Sequence, residues 1–598
     1  MKKLISFLTV GIIFCYLHQD IYAEVYTQSS GTVTQTDQTY STSTADESAV
    51  KITGGTLTLT NCTITKSGDV SNSDNSNFYG LNAAVLNYGS SGVINMSGGT
   101  ITTSGKGANA FYAYKGSSTI SDVTISCTAN SSRGLFATGG GTITASNITA
   151  TTAGSNSSVI ATDRGSGTVN VTGGTYRCTG TDAAVMYSTG VITASGITGS
   201  SAKGEIAVIE GSNSVTVTGE SNITAGSSSR GIMVLQSGSG DAEGTTGTFT
   251  MTGGSLIATG RSAPLIEVVT NATGNICLNS VTTTIASGIL MMVDYNTRWT
   301  THAATGNLYL NGSYTYTGDI VADSYSKANT NILTGATLVG KINTDNTALL
   351  TKLTMDSNST WNVTGTSYIN GLITNPGISG TSVSNIIGNG YNVYYTTSTN
   401  SVLGGLTYSL VNGGYLLPVG ATAPTNTLSL SSSSVSIAKE AGSTASVTVT
   451  SNTTWSVSSD QSWLTVSPSS NSGNGTITFT AEANTTVSSR TATVTVTAGT
   501  LSKIIEVVQE AGTTSTQLSS MGEEIIVYPN PTTHGVFIKG INGIATLTMM
   551  DLNGKQWIKS AVANGDYIST TTLQEGLYLV QIETSNEKIV KRVIVKRK

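Results

Sequence analysis

The sequence has 598 residues, of which 33 are Asp or Glu and 28 are Lys or Arg, so its formal net charge is −5. Charged residues make up only 10% of the chain, against about a quarter in ordinary globular proteins. Nucleic-acid binding depends on cations that neutralise phosphates. We therefore expect no nucleic-acid partner for this weakly acidic chain.

The N-terminus has the layout of a secretory signal peptide. Lys2 and Lys3 precede an apolar run over residues 4–17, and Ala23 is a small residue suited to cleavage. The run is shorter than the roughly 18 apolar residues that a transmembrane helix needs, although a signal anchor is the alternative interpretation. We predict a signal peptide over residues 1–23, export of the chain, and no transmembrane segment after cleavage.

Pairs of consecutive apolar residues, each preceded by a small residue, recur through the first half of the chain, and we term each such segment a step. Successive steps lie roughly 23–26 residues apart, with one gap of about 33, and such a period is typical of stacked repeat units. The steps are Ala84-Val85-Leu86, Ala110-Phe111-Tyr112, Gly134-Leu135-Phe136, Ser158-Val159-Ile160, Ala184-Val185-Met186, Ala207-Val208-Ile209, Gly231-Ile232-Met233, Pro264-Leu265-Ile266 and Gly288-Ile289-Leu290.

A second series of short segments runs in phase with these steps. Both series are bounded by Gly, Asn and Ser, so each step is predicted to be a strand between turns. A unit this small cannot bury its own apolar face and must stack on its neighbours. We therefore predict one parallel β-helix over residues 24–425, right-handed because parallel connections have this hand. The second series is Thr60-Asn61-Cys62-Thr63, Ser97-Gly98-Gly99-Thr100, Thr172-Gly173-Gly174-Thr175 and Thr252-Gly253-Gly254-Ser255.

Four cysteines follow the signal peptide: Cys62, Cys127, Cys178 and Cys277. Four cysteines in an exported chain would ordinarily suggest two disulfides. However, Cys127 and Cys178 occupy equivalent positions two rungs apart, which places their Cα atoms about 9.6 Å apart at ~4.8 Å per rung. A disulfide needs less than about 7 Å, so we predict buried free thiols.

From about Asn307 the rungs shorten, and the segment 353–372 carries alternating apolar residues around Trp361, which we expect to close the stack. This segment resembles the C-terminal rungs of autotransporter passenger domains and related bacterial β-helix adhesins, which have a pectin-lyase-like fold. The apolar residues are Leu353, Met355, Trp361, Val363, Ile369 and Leu372.

Residues 426–512 show short alternating strands at the 8–12-residue spacing of an antiparallel sandwich. The segment resembles the BACON domain, an immunoglobulin-like module of carbohydrate-active proteins in Bacteroidetes, for which glycan binding is suggested. Trp455 and Trp463 are interpreted as core residues rather than as a sugar platform, since buried Trp dominates the cores of small sandwiches. The matching features are Trp455, Ser462-Trp463-Leu464, Ser472-Gly473-Asn474-Gly475, Arg490-Thr491-Ala492 and Val508-Gln509.

After a Thr/Ser-rich linker over residues 513–524, the chain ends in a third domain over residues 525–598. Its motifs resemble the type A sorting domain of the type IX secretion system, which implies the secretion machinery as a partner and delivery to the outer cell surface or the medium. The predicted fold class is all-β, a right-handed parallel β-helix followed by two small β-sandwich domains. The motifs are Tyr528-Pro529-Asn530-Pro531, Gly576-Leu577-Tyr578-Leu579-Val580 and the basic end from Lys588.

Parallel β-helices often host polysaccharide lyases and hydrolases, which need clustered carboxylates or a metal-assisted base. Here the solenoid acids are scattered, and only His302 and His534 remain after export. Without a His beside a Ser or Cys, nucleophilic catalysis has no support. We predict no catalytic, cofactor-binding or metal-binding residues.

The best remaining pair is Glu210 and Glu267, which the repeat places in one column two rungs apart with Val234 between them. A spacing of about 9.6 Å lies at the upper edge for an inverting glycosidase. Whether the two side chains face inward or outward cannot be read from the period, and isolated carboxylates on a solvated rung are the favoured interpretation.

Two functions remain open. The first is a non-catalytic, adhesin-like surface protein that contacts glycans, mucin or the surface of a host or neighbouring cell. The second is a secreted β-helix polysaccharide lyase or glycoside hydrolase with an accessory BACON-like domain. The missing acid/base clusters favour the first. The inserted loop from Ser237 to Gly247 is the best candidate for a contact, although a plain surface loop is the favoured interpretation.

Overall fold

The computed structural model describes residues 25–226, 230–237, 242–294, 303–512, 524–585 and 587–597. The predicted signal peptide and all but the last residue of the predicted linker lie outside this part of the chain. The chain divides into two compact units, one of residues 1–484 with 490–510 and one of residues 485–489 with 511–598. No helix in the described part is long and apolar enough to cross a membrane.

Residues 26–418 form a parallel β-helix, as predicted. Each rung contributes one strand to each of three parallel sheets, and a fourth sheet takes over near the C-terminal end. The predicted right-handed winding rests on the general chirality rule and stays a prediction.

Sheet 1 has twelve strands: Tyr26–Gln28, Val50–Ile52, Val85–Asn87, Phe111–Tyr114, Leu135–Thr138, Ile160–Thr162, Met186–Ser188, Ala207–Glu210, Ile232–Leu235, Ile266–Val269, Ile289–Asp294 and Asp319–Ala322. Sheet 2 has fourteen: Thr32–Thr36, Gly55–Thr60, Gly92–Ser97, Ser117–Ser121, Thr142–Ser146, Thr168–Thr172, Val191–Ser195, Ser214–Thr218, Thr246–Thr252, Thr273–Asn279, Thr305–Asn311, Lys327–Ile332, Leu350–Met355 and Ile373–Thr374. Sheet 3 has ten: Thr39–Thr42, Thr63–Lys66, Thr100–Thr103, Thr124–Cys127, Thr149–Thr152, Thr175–Thr181, Thr198–Lys203, Asn222–Ala225, Ser255–Ala258 and Thr282–Ile285.

The core is built from inward columns in which each rung places a side chain over the one before. Such columns are continuous because the parallel strands pair in register. Burying each aliphatic side chain contributes about 1.5–3 kcal/mol, so stacking supplies the stability that a single rung lacks. One fully apolar column of sheet 2 is Leu59, Met96, Ile120, Ala145, Val171, Ala194, Val217, Met251, Leu278 and Leu310, all at most 2% exposed.

The second sequence series forms the turns between sheets 2 and 3 rather than strands. Gly173 and Gly174 both adopt positive φ, which L side chains rarely do. A Cβ on Gly174 would lie 2.3 Å from the carbonyl oxygen of Ile148 in the preceding rung. Glycine recurs here because the turn needs a left-handed backbone and stacks closely on the turn before it.

The four cysteines are free, as predicted, but only Cys62, Cys127 and Cys178 are buried. The prediction is wrong for Cys277, which is partly exposed because its side chain lies on the outward face of its strand. Cys127 and Cys178 lie in one column with Thr152 between them. Burial raises the pKa of Cys127 to about 12 and that of Cys178 to about 11, so both remain protonated thiols that fill space in the core.

The last rungs are closed by a hairpin rather than by Trp361. Trp361 is fully buried and donates its Nε1 hydrogen to the carbonyl of Gly340 at 2.9 Å, but strands continue beyond it. The strands Tyr408–Val411 and Tyr415–Pro418 pair antiparallel and end the stack. Five of the six predicted apolar residues are buried, whereas Leu372 is 47% exposed.

Sheet 4 has nine strands, Thr315–Thr317, Thr337–Gly340, Thr360–Val363, Ser382–Ile387, Tyr408–Val411, Tyr415–Pro418, Val393–Tyr395, Ser367–Ile369 and Ile378–Ser379, and a 3-10 turn spans Ser401–Leu403.

Residues 428–509 form a two-sheet sandwich with its own core. Its pairing is antiparallel, except that the strand Ser434–Ile437 runs parallel to the last one. The four-stranded sheet comprises Leu428–Leu430, Ser443–Ser451, Gly475–Ala481 and Leu464–Ser467, and the five-stranded sheet comprises Ser434–Ile437, Leu501–Gln509, Arg490–Ala498, Thr454–Ser459 and Ser470–Ser472.

The second unit contains another small β domain with a separate apolar core. One sheet comprises Ile526–Tyr528, Gly535–Lys539 and Tyr567–Ser569, and the other comprises Gln556–Val562, Ala545–Met550, Gly576–Glu583 and Lys588–Val595. The basic C-terminal segment is thus an edge strand, in which Val593 and Val595 are buried, Lys588 and Arg592 are exposed and Lys591 is partly exposed.

Candidate functional site on the outer face of sheet 1

The outer face of sheet 1 is largely covered by other parts of the chain. Side chains alternate along a strand, so in Ala207–Glu210 the residues Ala207 and Ile209 enter the core while Val208 and Glu210 point outward. Glu210 is nevertheless only 3% exposed. A parallel sheet buried on both faces produces consecutive apolar residues in the sequence, which explains why the repeat appears as a two-residue step.

Helix α1 (Ser73–Tyr79) covers the early rungs. Asn72 caps its first turn by accepting the backbone N–H of Asp74 at 2.8 Å, and Gly80 ends it with positive φ. The hydroxyl of Tyr112 donates to the carbonyl of Asn77 at 2.6 Å. Beneath the helix lies a second apolar cluster outside the solenoid core, formed by Ala83, Leu86, Tyr112, Phe136 and Ala161.

A polar group lies next to this cluster. Arg133 donates from Nη1 to Oδ1 of Asn77 at 2.8 Å, and its Nη2 lies 3.9 Å from Oδ2 of Asp163. The guanidinium also lies 4.5 Å from the ring centroid of Phe136. These contacts fix the orientation of Arg133, because stacking and directional hydrogen bonds together hold a planar guanidinium in one position.

Glu210 is held by hydrogen bonds on both carboxylate oxygens. The hydroxyl of Tyr187 donates to Oε2 at 2.7 Å, and the hydroxyl of Ser237 donates to Oε1. Burial and the charge of Glu210 raise the pKa of Tyr187 well above its ordinary value. Tyr187 therefore stays a neutral phenol that donates its hydrogen to Glu210.

A third group surrounds Arg230. Its Nε forms a close ion pair with Oε2 of Glu267, and its Nη1 lies 4.0 Å from Oε1 of Glu205. Burial raises the pKa of Glu267 to about 7; the charge of Arg230 opposes this shift, and those of Asp294 and Glu205 add to it. Burial and Asp323 raise the pKa of Asp294 to about 6.

The predicted column of Glu210 and Glu267 is wrong. Glu210 pairs with Leu235 of the next rung, whereas Glu267 pairs with Met233. The two glutamates both face outward, but they are offset by two residues along the strands as well as by two rungs, about 12 Å between Cα atoms. Rungs differ in length, so positions counted from one step to the next drift out of register.

Clefts lie beside these groups. One of about 280 Å³ is lined by Asn77, Ser131, Arg133, Asn156, Ser158, Asp182 and Tyr187. A second of about 560 Å³ is lined by Arg164, Gly165, Ser166, Thr189, Ser212, Asn213, Ala242 and Glu243. The second cleft includes two described residues of the loop predicted as a contact, whose residues 238–241 lie outside the described part.

The described residues contain no group of three or more His, Cys, Asp or Glu side chains arranged to hold a metal ion. His302 lies outside the described part, and His534 contacts Thr533 within the second unit. In the sandwich, Trp455 is 1% exposed and Trp463 is 8% exposed under the guanidinium of Arg490, which is 4.3 Å from its ring centroid. Both tryptophans are packing residues, as predicted.

Arg133, Asp163, Tyr187 and Arg230 were not singled out from the sequence. The available signals were the consecutive apolar residues, which indicate a sheet covered on both faces, and the long interval between residues 66 and 85 that contains α1. Neither signal identifies which side chains meet, because the covering segments lie far away in sequence.

Two family models match the C-terminal part of the chain. Residues 453–510 match the BACON family, described as "Putative binding domain, N-terminal". Residues 526–596 match the family described as "Secretion system C-terminal sorting domain". The chain thus contains a BACON domain and a type IX sorting domain, as predicted, and it is exported to the outer cell surface or secreted.

No curated protein matches the sequence. Among solved structures, a Bacteroides ovatus GH5 xyloglucanase in complex with a heptasaccharide is 27% identical over 18% of this chain and 21% of its own length, with a TM-score of 0.14. Domains 5-6 of the S-layer protein SbsC are 17% identical over 29% of this chain and 100% of theirs, with a TM-score of 0.13. The Pseudomonas aeruginosa CupB2 chaperone is 9% identical over 28% of this chain and 100% of its own length, with a TM-score of 0.12. At such TM-scores these likenesses carry no argument.

The raised pKa of Glu267 predicts a pH-dependent contribution to stability. The folded state binds the proton more tightly than the unfolded chain, whose Glu pKa is about 4.3, so the contribution is full below about pH 4.3 and is lost as pH rises through about 7. Asp294 acts in the same direction. We expect the melting temperature to fall less between about pH 5 and about pH 8 in Glu267→Gln than in the wild type. The melting temperature of the exposed control Glu220→Gln should change with pH as that of the wild type does. If the melting temperature of Glu267→Gln also followed the wild type, the prediction would be contradicted.

Proposed function

We propose that this chain is a surface-displayed, non-catalytic β-helix protein that contacts glycans or the surface of a host or neighbouring cell. The observation that carries the proposal is that two buried carboxylates on the outer face of sheet 1 are engaged by fixed partners. Glu210 is bound by Tyr187 and Ser237, and Glu267 by Arg230. Glycosidic cleavage needs a positioned acid and a free base or nucleophile, whereas these groups build a rigid polar surface.

The chemistry of the clefts supports contact with hydroxyl-rich ligands. Amide, hydroxyl and guanidinium groups line both clefts beside sheet 1, and together they offer donors and acceptors to sugar hydroxyls. Arg133 is already oriented by its contacts in the free protein, so less ordering entropy is lost on binding. The BACON domain adds support, because its family is described as a binding domain.

A carbohydrate-active enzyme is the second candidate, and one specific observation favours it. Glu267 has a pKa of about 7 and lies against Arg230. A carboxyl that titrates near neutral pH meets the requirement for a general acid. Arg230 would then hold the conjugate base or a uronate carboxylate.

The two candidates are separated by assaying the mature full-length protein for binding and cleavage together. We expect retention on mucin or on a glycan array, and no new reducing ends or unsaturated uronates from pectin, alginate or neutral polysaccharides. Glu267→Gln and its exposed control Glu220→Gln should bind like the wild type.

Cleavage that Glu267→Gln abolishes and Glu220→Gln preserves would establish the enzyme instead. Absence of both binding and cleavage, on glycans and on whole cells, would contradict both candidates.

A further inference from the structure

Two lysines and three tyrosines form a patch at the N-terminal end of the outer face of sheet 1, which we term the lysine–tyrosine platform: Lys51, Tyr79, Tyr88, Tyr114 and Lys115. Tyr88 and Tyr114 follow one another in an outward column, and their rings stack with centroids 4.9 Å apart at 26°. Tyr79, the last residue of α1, meets Tyr114 nearly at right angles at 5.6 Å and is 42% exposed.

The two ammonium groups lie over the tyrosine rings. Nζ of Lys51 is 5.2 Å from the ring centroid of Tyr88, and Nζ of Lys115 is 4.9 Å from that of Tyr114. A cation held over an aromatic face is positioned by electrostatics, and its N–H donors that point away from the ring remain available. Among the described residues, neither ammonium group lies within 4.0 Å of a carboxylate.

The spacing of the cations defines the ligand further. Lys51 lies in the second strand of sheet 1 and Lys115 directly follows the fourth. At ~4.8 Å per rung, the two residues are about 10 Å apart along the helix axis. Lys51 is level with Leu86 and Tyr112, so Lys115 is also displaced by three residues, about 10 Å, along the strands. A ligand that meets both needs anionic groups repeated along its length, and the exposed ring of Tyr79 offers an amphipathic surface to the apolar face of a sugar.

We propose that the lysine–tyrosine platform binds acidic polysaccharide, a chain bearing uronate or sulfate groups that runs diagonally across the rungs of sheet 1. The inference rests on the proposed function as a glycan-contacting surface protein and names its ligand class. The lysines supply charge-assisted hydrogen bonds, and Tyr79 supplies stacking area.

The test uses the mature full-length protein with polygalacturonate, heparin and the neutral polymer dextran in affinity electrophoresis. The double variant Lys51→Gln/Lys115→Gln should lose about tenfold in affinity for the acidic polymers, since each exposed ion pair contributes only a few-fold to affinity. The matched control Lys327→Gln/Lys352→Gln removes the same charge from exposed positions on sheet 2 and should bind like the wild type. Wild-type binding should weaken near 1 M salt, where the screening length is about 3 Å.

The outcomes distinguish the platform from the proposed function. Equal losses in both double variants would show that only net charge matters, and unchanged acidic-polymer binding in the platform variant would place the ligand elsewhere; either result overturns the platform and leaves glycan contact standing. Binding to anionic lipid vesicles but to no polysaccharide would overturn the platform and the glycan contact of the proposed function. Unchanged melting temperatures in both variants ensure that a loss reflects the surface and not the fold.

Discussion

Deletion of residues 528–598 is expected to leave the protein in the periplasm. A signal peptide, as predicted for residues 1–23, delivers a chain only across the inner membrane. The outer-membrane step depends on the type IX sorting domain that the chain carries at residues 526–596. Antibody or protease accessibility on intact cells, compared with the periplasmic fraction, measures the result. Undiminished surface display of the truncated chain would refute the role of this domain.

Single substitutions test whether the secretion machinery recognises the folded sorting domain or only its sequence. Val580 is fully buried in this domain, whereas Val590 is 53% exposed. Val580→Asp places a charge in the apolar core and should abolish surface display by unfolding the domain. Val590→Asp introduces the same charge at the surface and should be displayed like the wild type.

Val185→Asp should destabilise the solenoid by several kcal/mol. Val185 is fully buried between rungs. Its N–H donates to the backbone carbonyl of Glu205 at 3.0 Å, and its carbonyl accepts from the N–H of Ile160 at 3.0 Å. An aspartate there would be an unpaired charge in an apolar stack. Because each repeat rests on its neighbours, damage to one rung spreads along the array.

Val191→Asp is the matched control for this substitution. Val191 is 44% exposed at the start of a strand on sheet 2, so the same change should cost no more than about 0.5 kcal/mol. Thermal melts of the two variants give the comparison, and similar melting temperatures would contradict the assignment of Val185 to the core.

The architecture could be predicted from the sequence because its determinants are local and repeated. The period of the aliphatic steps and the glycine pairs such as Gly173-Gly174 are visible without knowing what lies opposite them. The free thiols followed from the same logic, since Cys127 and Cys178 differ by two whole periods and the column geometry fixes their separation.

The candidate site could not be predicted because it depends on contacts between insertions and the sheet. Arg133 meets Asn77 through a helix inserted many residues earlier, and Glu210 meets Ser237 through a loop inserted later. The misplaced column of Glu210 and Glu267 has a related cause. Insertions and unequal rung lengths shift the register, which only the strand pairing fixes.

The in-register stacking of the strands also gives the solenoid a length that is set by its number of rungs. Fourteen strands of sheet 2 at ~4.8 Å per layer separate the first layer from the last by about 60 Å. Removing one register period, for example residues 118–142, brings Ile143 into the position of Ser118 and keeps every column aligned. The solenoid can therefore lengthen or shorten in steps of about 4.8 Å, and each rung that is removed takes its own outward side chains with it, in this example Arg133 and Phe136.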